Sequence, residues 1–189
     1  MTELRGTPDK HEQDCNWEWF TDFAGVGMCH NYYVHHLISK AIDAIDGIEM
    51  IIELGTYWGS MSTVLALEGI RKQVPFHTFD IEEQRTQETI EFHKRLGVNY
   101  HQLDVLKERK FIIDLVKDKK CLFICDAGNK RDEFSAFAPF LKSGSIICAH
   151  DYTTEFLDEH IDPVRSLLEP FLHKDWNKHN CQFVLCQIK

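Results

Sequence analysis

The segment Ile51-Ile52-Glu53-Leu54-Gly55-Thr56-Tyr57-Trp58-Gly59-Ser60 concentrates residues that can do chemistry. An apolar run ends at a glycine, and a second glycine stands just before helical spacing begins. Gly55 allows a tight turn where a side chain would clash. Gly59 lets a ligand approach the backbone, and the free N–H groups of a helix start favour a carboxylate or phosphate. Asp80 ends the next apolar run about 20 residues on, an offset at which a carboxylate can accept from both hydroxyls of a ribose. The plain alternative is a turn plus a glycine for helix packing. Two more acids follow apolar runs: Asp126 after Cys121–Cys125, and Asp151 after Ser145–Ala149 and His150. Neighbouring parallel strands lie ~4.8 Å apart. Carboxylates at matching strand ends can share a cation, and without one they repel unless protonated. Helix capping by both aspartates is an equal alternative.

Strands and helices must hold these positions. Tyr33, Leu37, Ile38, Ala41, Ile42 and Ile45 recur at helical offsets, and Asp46-Gly47 closes that helix. The pattern then alternates. Apolar runs at Ile48–Leu54, Val74–Phe79, Val98–Leu103, Cys121–Cys125, Ser145–Ala149 and Cys181–Ile188 predict strands. Ser60–Lys72, Gln84–Leu96, Lys107–Lys120, Glu133–Leu141 and Pro163–Leu172 predict helices. Strands alternating with helices imply crossover units and a parallel α/β sheet. Leu172–Trp176 and Cys181–Ile188 are separated by Asn177-Lys178-His179-Asn180, a spacing that suits a hairpin with one antiparallel strand near the edge.

Composition narrows the classes. The 189 residues carry a formal charge of −9, with 43% hydrophobic and 12% aromatic content. That length fits one domain, 1–189, with residues 1–45 as an N-terminal tail and helix and 46–189 as the core. The aromatic content argues against a disordered chain. No apolar run approaches the ~18 residues that span a bilayer, and MTELRGTPDKHEQD lacks the apolar core of a signal peptide. The negative charge argues against nonspecific nucleic-acid binding, which Lys and Arg drive. The basic cluster in Lys107–Lys120 reads as a solvated helix face. Seven cysteines, an odd number without a CxxC pair, point to a reducing, cytoplasmic setting.

The order Glu-x-Gly-x-x-x-Gly, rather than the GxGxxG of dinucleotide enzymes, resembles the first motif of class I S-adenosylmethionine-dependent methyltransferases. The run from Leu122 through Asp151 resembles the cephalosporin-biosynthesis and macrolide-sugar O-methyltransferase group, and its layout is similar to catechol-type O-methyltransferases. The resemblance covers roughly residues 50–152 and implies a doubly wound, Rossmann-like methyltransferase fold. The sheet would be seven-stranded and mostly parallel, with one antiparallel strand. Gly55 and Gly59 would cradle the methionine part of S-adenosylmethionine, and Thr56, Tyr57 and Ser60 would also contact the cofactor. Glu53 would support that loop, Asp80 would hold the ribose, and Asp104 would lie near the adenine. Asp126 would border the cofactor and, with Asp151, bind a divalent cation, Mg²⁺ or Mn²⁺. Those families place an acidic pair after the fifth strand, whereas this chain has His150 at the first position. A histidine ligand suits Mn²⁺, Fe²⁺ or Zn²⁺ better than Mg²⁺.

The implied activity is metal-assisted O-methylation of a small-molecule hydroxyl, with Lys130 or His150 taking the proton. A solvated lysine at a helix start is the alternative for Lys130. Tyr57 and Trp58 either face the sulfonium by a cation–π contact or fill space in the loop. Trp17, Trp19, Tyr32, Tyr33, His30, His35 and His36 make the N-terminal part aromatic, as a lid over the acceptor or a homo-oligomer interface. The rivals are an NAD-dependent oxidoreductase and a non-catalytic scaffold that keeps the fold, because one fold hosts many functions.

Overall fold

In the computed structural model, the described residues are 19–31, 33–172 and 181–189, without the side chains of 19–22 and 28–31. Strand β3 (Met50–Leu54) is buried along its whole length. So are β6 (Cys121–Cys125) and β7 (Ile146–Ala149). Continuous apolar runs of this kind suit a parallel sheet covered on both faces. β4 (Phe76–Asp80) pairs parallel with β3, and the more polar β5 (Asn99–Gln102) forms the edge beyond it. β8 (Leu168–Pro170) and β9 (Val184–Ile188) complete the order β5-β4-β3-β6-β7-β9-β8. β9 runs antiparallel to both neighbours. The sheet is therefore seven-stranded with one reversed strand, as the sequence implies.

Side chains alternate across the sheet. Met50, Ile52, Leu54, Phe123 and Cys125 face one core, which helix α4 (Arg109–Val116) and helix α5 (Lys130–Phe137) cover with Ile112, Val116, Phe134 and Phe137. Ile51, Leu122 and Ile124 face the other core, beneath α1 (Tyr33–Ala44) and α2 (Ser60–Lys72). Helix α3 (Gln87–Arg95) starts at Thr86, whose hydroxyl accepts from Thr89 N. The described cysteines Cys121, Cys125, Cys148, Cys181 and Cys186 are buried free thiols. No described helix is long and apolar enough to cross a membrane.

Four expectations need correction. The N-terminal segment is more than a tail and a helix: β1 (Trp19–Phe23) and β2 (Val26–Asn31) form an antiparallel hairpin. Its turn uses Ala24 and Gly25 at φ 53° and 81°, the positive pair that matches strand twist in a two-residue turn. Pro163–Leu172 is not an α-helix. A 3-10 segment, Asp158–Leu167, leads directly into β8. The hairpin partner of β9 is therefore β8, and the expected strand Leu172–Trp176 lies outside the described residues beyond Leu172. Helix α5 begins at Lys130 rather than Glu133, because the Asn129 side chain accepts from Asp132 N and caps it earlier.

Candidate functional site

Strand order reverses between β3 and β6, and a cavity of about 880 Å³ opens beyond the strand ends there. Open α/β sheets bind ligands at this switch point. Gly55, Thr56, Tyr57, Gly59, Ser60, Asp80 and Asp104 line one side, and Asp126, Lys130, His150 and Asp151 line the other. Glu53 is the one sequence-selected residue outside the wall.

Gly55 has φ 97° and donates to Phe79 O at 2.8 Å. A Cβ on it would lie 2.3 Å from the Asp126 carbonyl oxygen. Glycine is thus required where β3 and β6 end side by side. Gly59, at φ 92°, precedes α2 without a side-chain cap. The space it leaves is taken by His93, whose Cε1 would lie 2.6 Å from a Cβ. That glycine serves helix packing as well as the loop. Arg85 donates to His93 Nδ1 at 3.1 Å, which leaves the proton on Nε2, 3.0 Å from Gly59 O.

Glu53 lies beneath the loop. It accepts from Ser62 Oγ and, at 2.6 Å, from Thr78 Oγ1, which also pairs with Thr56 Oγ1 at 2.6 Å. Burial pushes its carboxyl up to about 8, despite these two donors. Glu133 holds the β6–α5 turn by accepting from Asn129 N at 3.0 Å and Ala127 N at 3.3 Å, and burial pushes it up to about 7. Both acids keep a proton in the folded chain where the unfolded chain has lost it, so their contribution fades as pH rises toward 8. His77 and His93, lowered to about 4 mainly by burial, act oppositely between pH 4 and 6.5. The two pairs nearly cancel below pH 6.5, so stability should form a plateau there and fall above it. By pH 8 it should fall by on the order of 2 kcal/mol. Urea titrations across this range check it: Glu53→Gln should flatten the decline, and a midpoint that rises from pH 6.5 to 8 contradicts it.

The ribose candidate Asp80 accepts from Tyr57 N at 2.8 Å and from Glu82 N at 3.3 Å. It fixes the loop while lining the cavity. Asp104 accepts from Leu106 N and Lys107 N and pairs with Lys107 Nζ at 2.9 Å, which holds its carboxyl below the usual range. Tyr57 and Trp58 stack on each other at 4.4 Å. A Cβ on Gly27 would lie 2.9 Å from the Trp58 ring, so the N-terminal hairpin closes against this pair. The side chains of Trp17, Trp19, His30 and Tyr32 lie outside the described residues.

On the opposite wall, donor atoms of Asp126, His150 and Asp151 lie within 4.8 Å of one another. His150 Nδ1 is 3.1 Å from Asp126 Oδ1 and 3.7 Å from Asp151 Oδ1, and its ring stacks on Phe183. Burial lowers the imidazole pKa, but the Asp126 and Asp151 charges outweigh it and raise the value overall. Two carboxylates and an imidazole fit a divalent cation, with the mixed donor set favouring Mn²⁺, Fe²⁺ or Zn²⁺ over Mg²⁺. Lys130 Nζ is 2.9 Å from Asp151 Oδ2, 3.6 Å from Asp126 Oδ1 and 2.8 Å from Glu155 Oε2. Burial disfavours its charge, but the carboxylates hold it firmly as the ammonium. As placed, Lys130 is a cation in the acidic cluster rather than a ready base. Glu155 was not legible in sequence: it lies in the polar run Tyr152-Thr153-Thr154-Glu155, with no apolar pattern to place it. Gly27, Glu133 and Gln182 also line the cavity without having been singled out.

No protein-family model and no curated relative matches this sequence. Solved structures match in fold. CmcI in its apo form superposes with TM-score 0.63 at 15% identity, over 100% of this chain and 88% of that one. CmcI with Mg and SAM gives 0.58 at 14% identity, over 100% and 89%. An rRNA methylase from Streptococcus thermophilus gives 0.51 at 13%, over 81% and 95%. A SAM-dependent O-methyltransferase from Thermotoga maritima gives 0.53 at 15%, and this chain spans about half of its length, 53%. At these identities the likeness establishes the fold, that of class I SAM-dependent methyltransferases.

Proposed function

We propose that this chain binds S-adenosylmethionine and transfers its methyl group to a hydroxyl of a small molecule, with a divalent cation assisting. The observation that carries the reading is the loop Gly55–Ser60. It is locked by Glu53 from below and Asp80 from the side, at the switch point of a class I methyltransferase sheet. CmcI, a fold neighbour described with Mg and SAM, supports it.

When bound, the cofactor supplies an electrophilic methyl on a sulfonium. The protein's part is alignment, which can be worth ~7–11 kcal/mol. Asp80 binds the ribose hydroxyls, and the α2 start receives the cofactor carboxylate. The Tyr57–Trp58 stack and the hairpin at Gly27 screen the loop from water. Asp126, Asp151 and His150 would hold a divalent cation, whose charge would lower the pKa of an acceptor hydroxyl beside it. Without a cation, His150 is the better proton acceptor of the two candidates, because Asp126 stands 3.1 Å from Nδ1 to support an imidazolium. The test is transfer of labelled methyl to panels of phenols, sugars, nucleosides and RNA. Transfer to a small-molecule hydroxyl should fall at least ~100-fold with a chelator and in Asp126→Ala, about 2.7 kcal/mol of barrier. Full activity under both conditions removes the cation and leaves methyl transfer standing. Transfer to RNA alone overturns the acceptor class.

A further inference from the structure

The buried cation of this site belongs to the protein. Lys130 is 8% exposed, and its ammonium is held by carboxylates. Nζ sits among Asp126 from the β6 end, Asp151 from the β7 end and Glu155 from the loop beyond. The first two are also candidate ligands of a divalent ion. A lysine in the first turn of α5 could extend into solvent; instead it bridges two strand-end loops. Three carboxylates face one ammonium, so the cluster stays attractive to cations. An ion bound to Asp126 and Asp151 would nevertheless stand within a few ångströms of a like charge, and in a part-buried site that repulsion is poorly screened.

We propose that the Lys130 ammonium, anchored by Glu155, is the resident counter-cation of this site, and that a divalent ion binds Asp126, His150 and Asp151 only by displacing it. The inference rests on reading those three residues as cation ligands. Glu155 is the outer anchor: its side chain is 68% exposed, and its Oε2 lies 2.8 Å from Lys130 Nζ. Displacement would swing Lys130 outward on its four-carbon stem, uncovering the strand ends. The site would then have a cation-free state, closed by Lys130, and an ion-bound state in which the lysine is accessible.

The test uses the full chain and Mn²⁺ alone, without cofactor. Acetylation of each lysine by acetic anhydride is followed by mass spectrometry, with Lys107 and Lys110, exposed at 81% and 87%, as internal standards. Lys130 should react slowly in the cation-free chain and at least tenfold faster under saturating Mn²⁺, relative to those standards. Calorimetry should show Lys130→Met binding Mn²⁺ at least tenfold more tightly than the unaltered chain, with Asp126→Asn abolishing the gain. Lys130 that stays protected while Mn²⁺ binds overturns the proposal. So does Lys130→Met with affinity no greater than the unaltered chain. The labelling arm needs no variant, so it decides even if Lys130→Met fails to fold. S-adenosylmethionine binding is measured in parallel: its loss would sink the methyltransferase reading, and its retention beside a failed displacement test would sink only this one.

Discussion

Gly55→Ala is expected to cost about 3–5 kcal/mol of stability, combining backbone strain with overpacking, and to abolish cofactor binding. The position has φ 97°, which an L side chain adopts only under strain. A Cβ would also lie 2.3 Å from the Asp126 carbonyl oxygen and 2.8 Å from Ala127 N. Those neighbours are backbone, and they cannot yield by rotating a side chain. Asp126 N donates to Leu54 O at 2.8 Å, so relief would have to separate β3 from β6 at the cavity floor. The damage falls on the residues that hold the loop and on the aspartate proposed to hold the cation. Thermal and urea unfolding measure the stability part. A variant within ~0.5 kcal/mol of the unaltered chain, the range of neutral surface changes, would mean the strand ends are looser than described.

Asp80→Ala should weaken S-adenosylmethionine binding by roughly 100-fold while leaving most of the stability intact. A hydrogen bond to a charged group contributes about 1.5–3 kcal/mol net of water exchange, so losing even one or two to a ribose gives a loss of that order. Asp80 also accepts from Tyr57 N. The variant therefore loosens the loop beside Trp58 and loses the ribose partner together. The Asp80→Asn variant separates these effects, since it keeps an acceptor for Tyr57 N but lacks the charge and one acceptor. Intermediate affinity in Asp80→Asn is expected. Unchanged affinity in Asp80→Ala would move the ribose elsewhere.

Much of this site could be read from local sequence, because strand ends in a parallel sheet announce themselves. Apolar runs stop at Leu54, Asp80, Cys125 and Ala149, and the residues just beyond are those that line the cavity. The order of strands was less legible: β9 is the reversed strand near the edge, as expected, but its hairpin partner is β8 and not the expected Leu172–Trp176. Misreadings had physical causes. Pro163 looks like the first residue of a helix, but the segment runs as 3-10 and straightens into β8. The β1–β2 hairpin left only Ala24-Gly25 as a signal, within polar and aromatic residues that give no alternation. Lys130 looked like a base because sequence shows its place on the chain and not its neighbours. Its partner Glu155 comes from a loop shaped by positive φ at Asp151 and Thr153, 55° and 80°. Glu53 was legible as an acid before a glycine. That it should hold a proton follows only from its burial between β4 and α2.

The charge of −9 gains a location from the structure. Asp80, Asp104, Asp126 and Asp151 gather on one cavity wall system, with Lys130 engaged by three carboxylates. Such a rim suits a sulfonium and a metal cation and opposes a dinucleotide's two phosphates. Calorimetric titration of the cation-free chain with S-adenosylmethionine and, separately, with NAD tests this most directly. Saturable one-to-one binding of S-adenosylmethionine is expected, weakened by Asp80→Ala, with no heat from NAD. Tight binding of NAD with none of S-adenosylmethionine would contradict it.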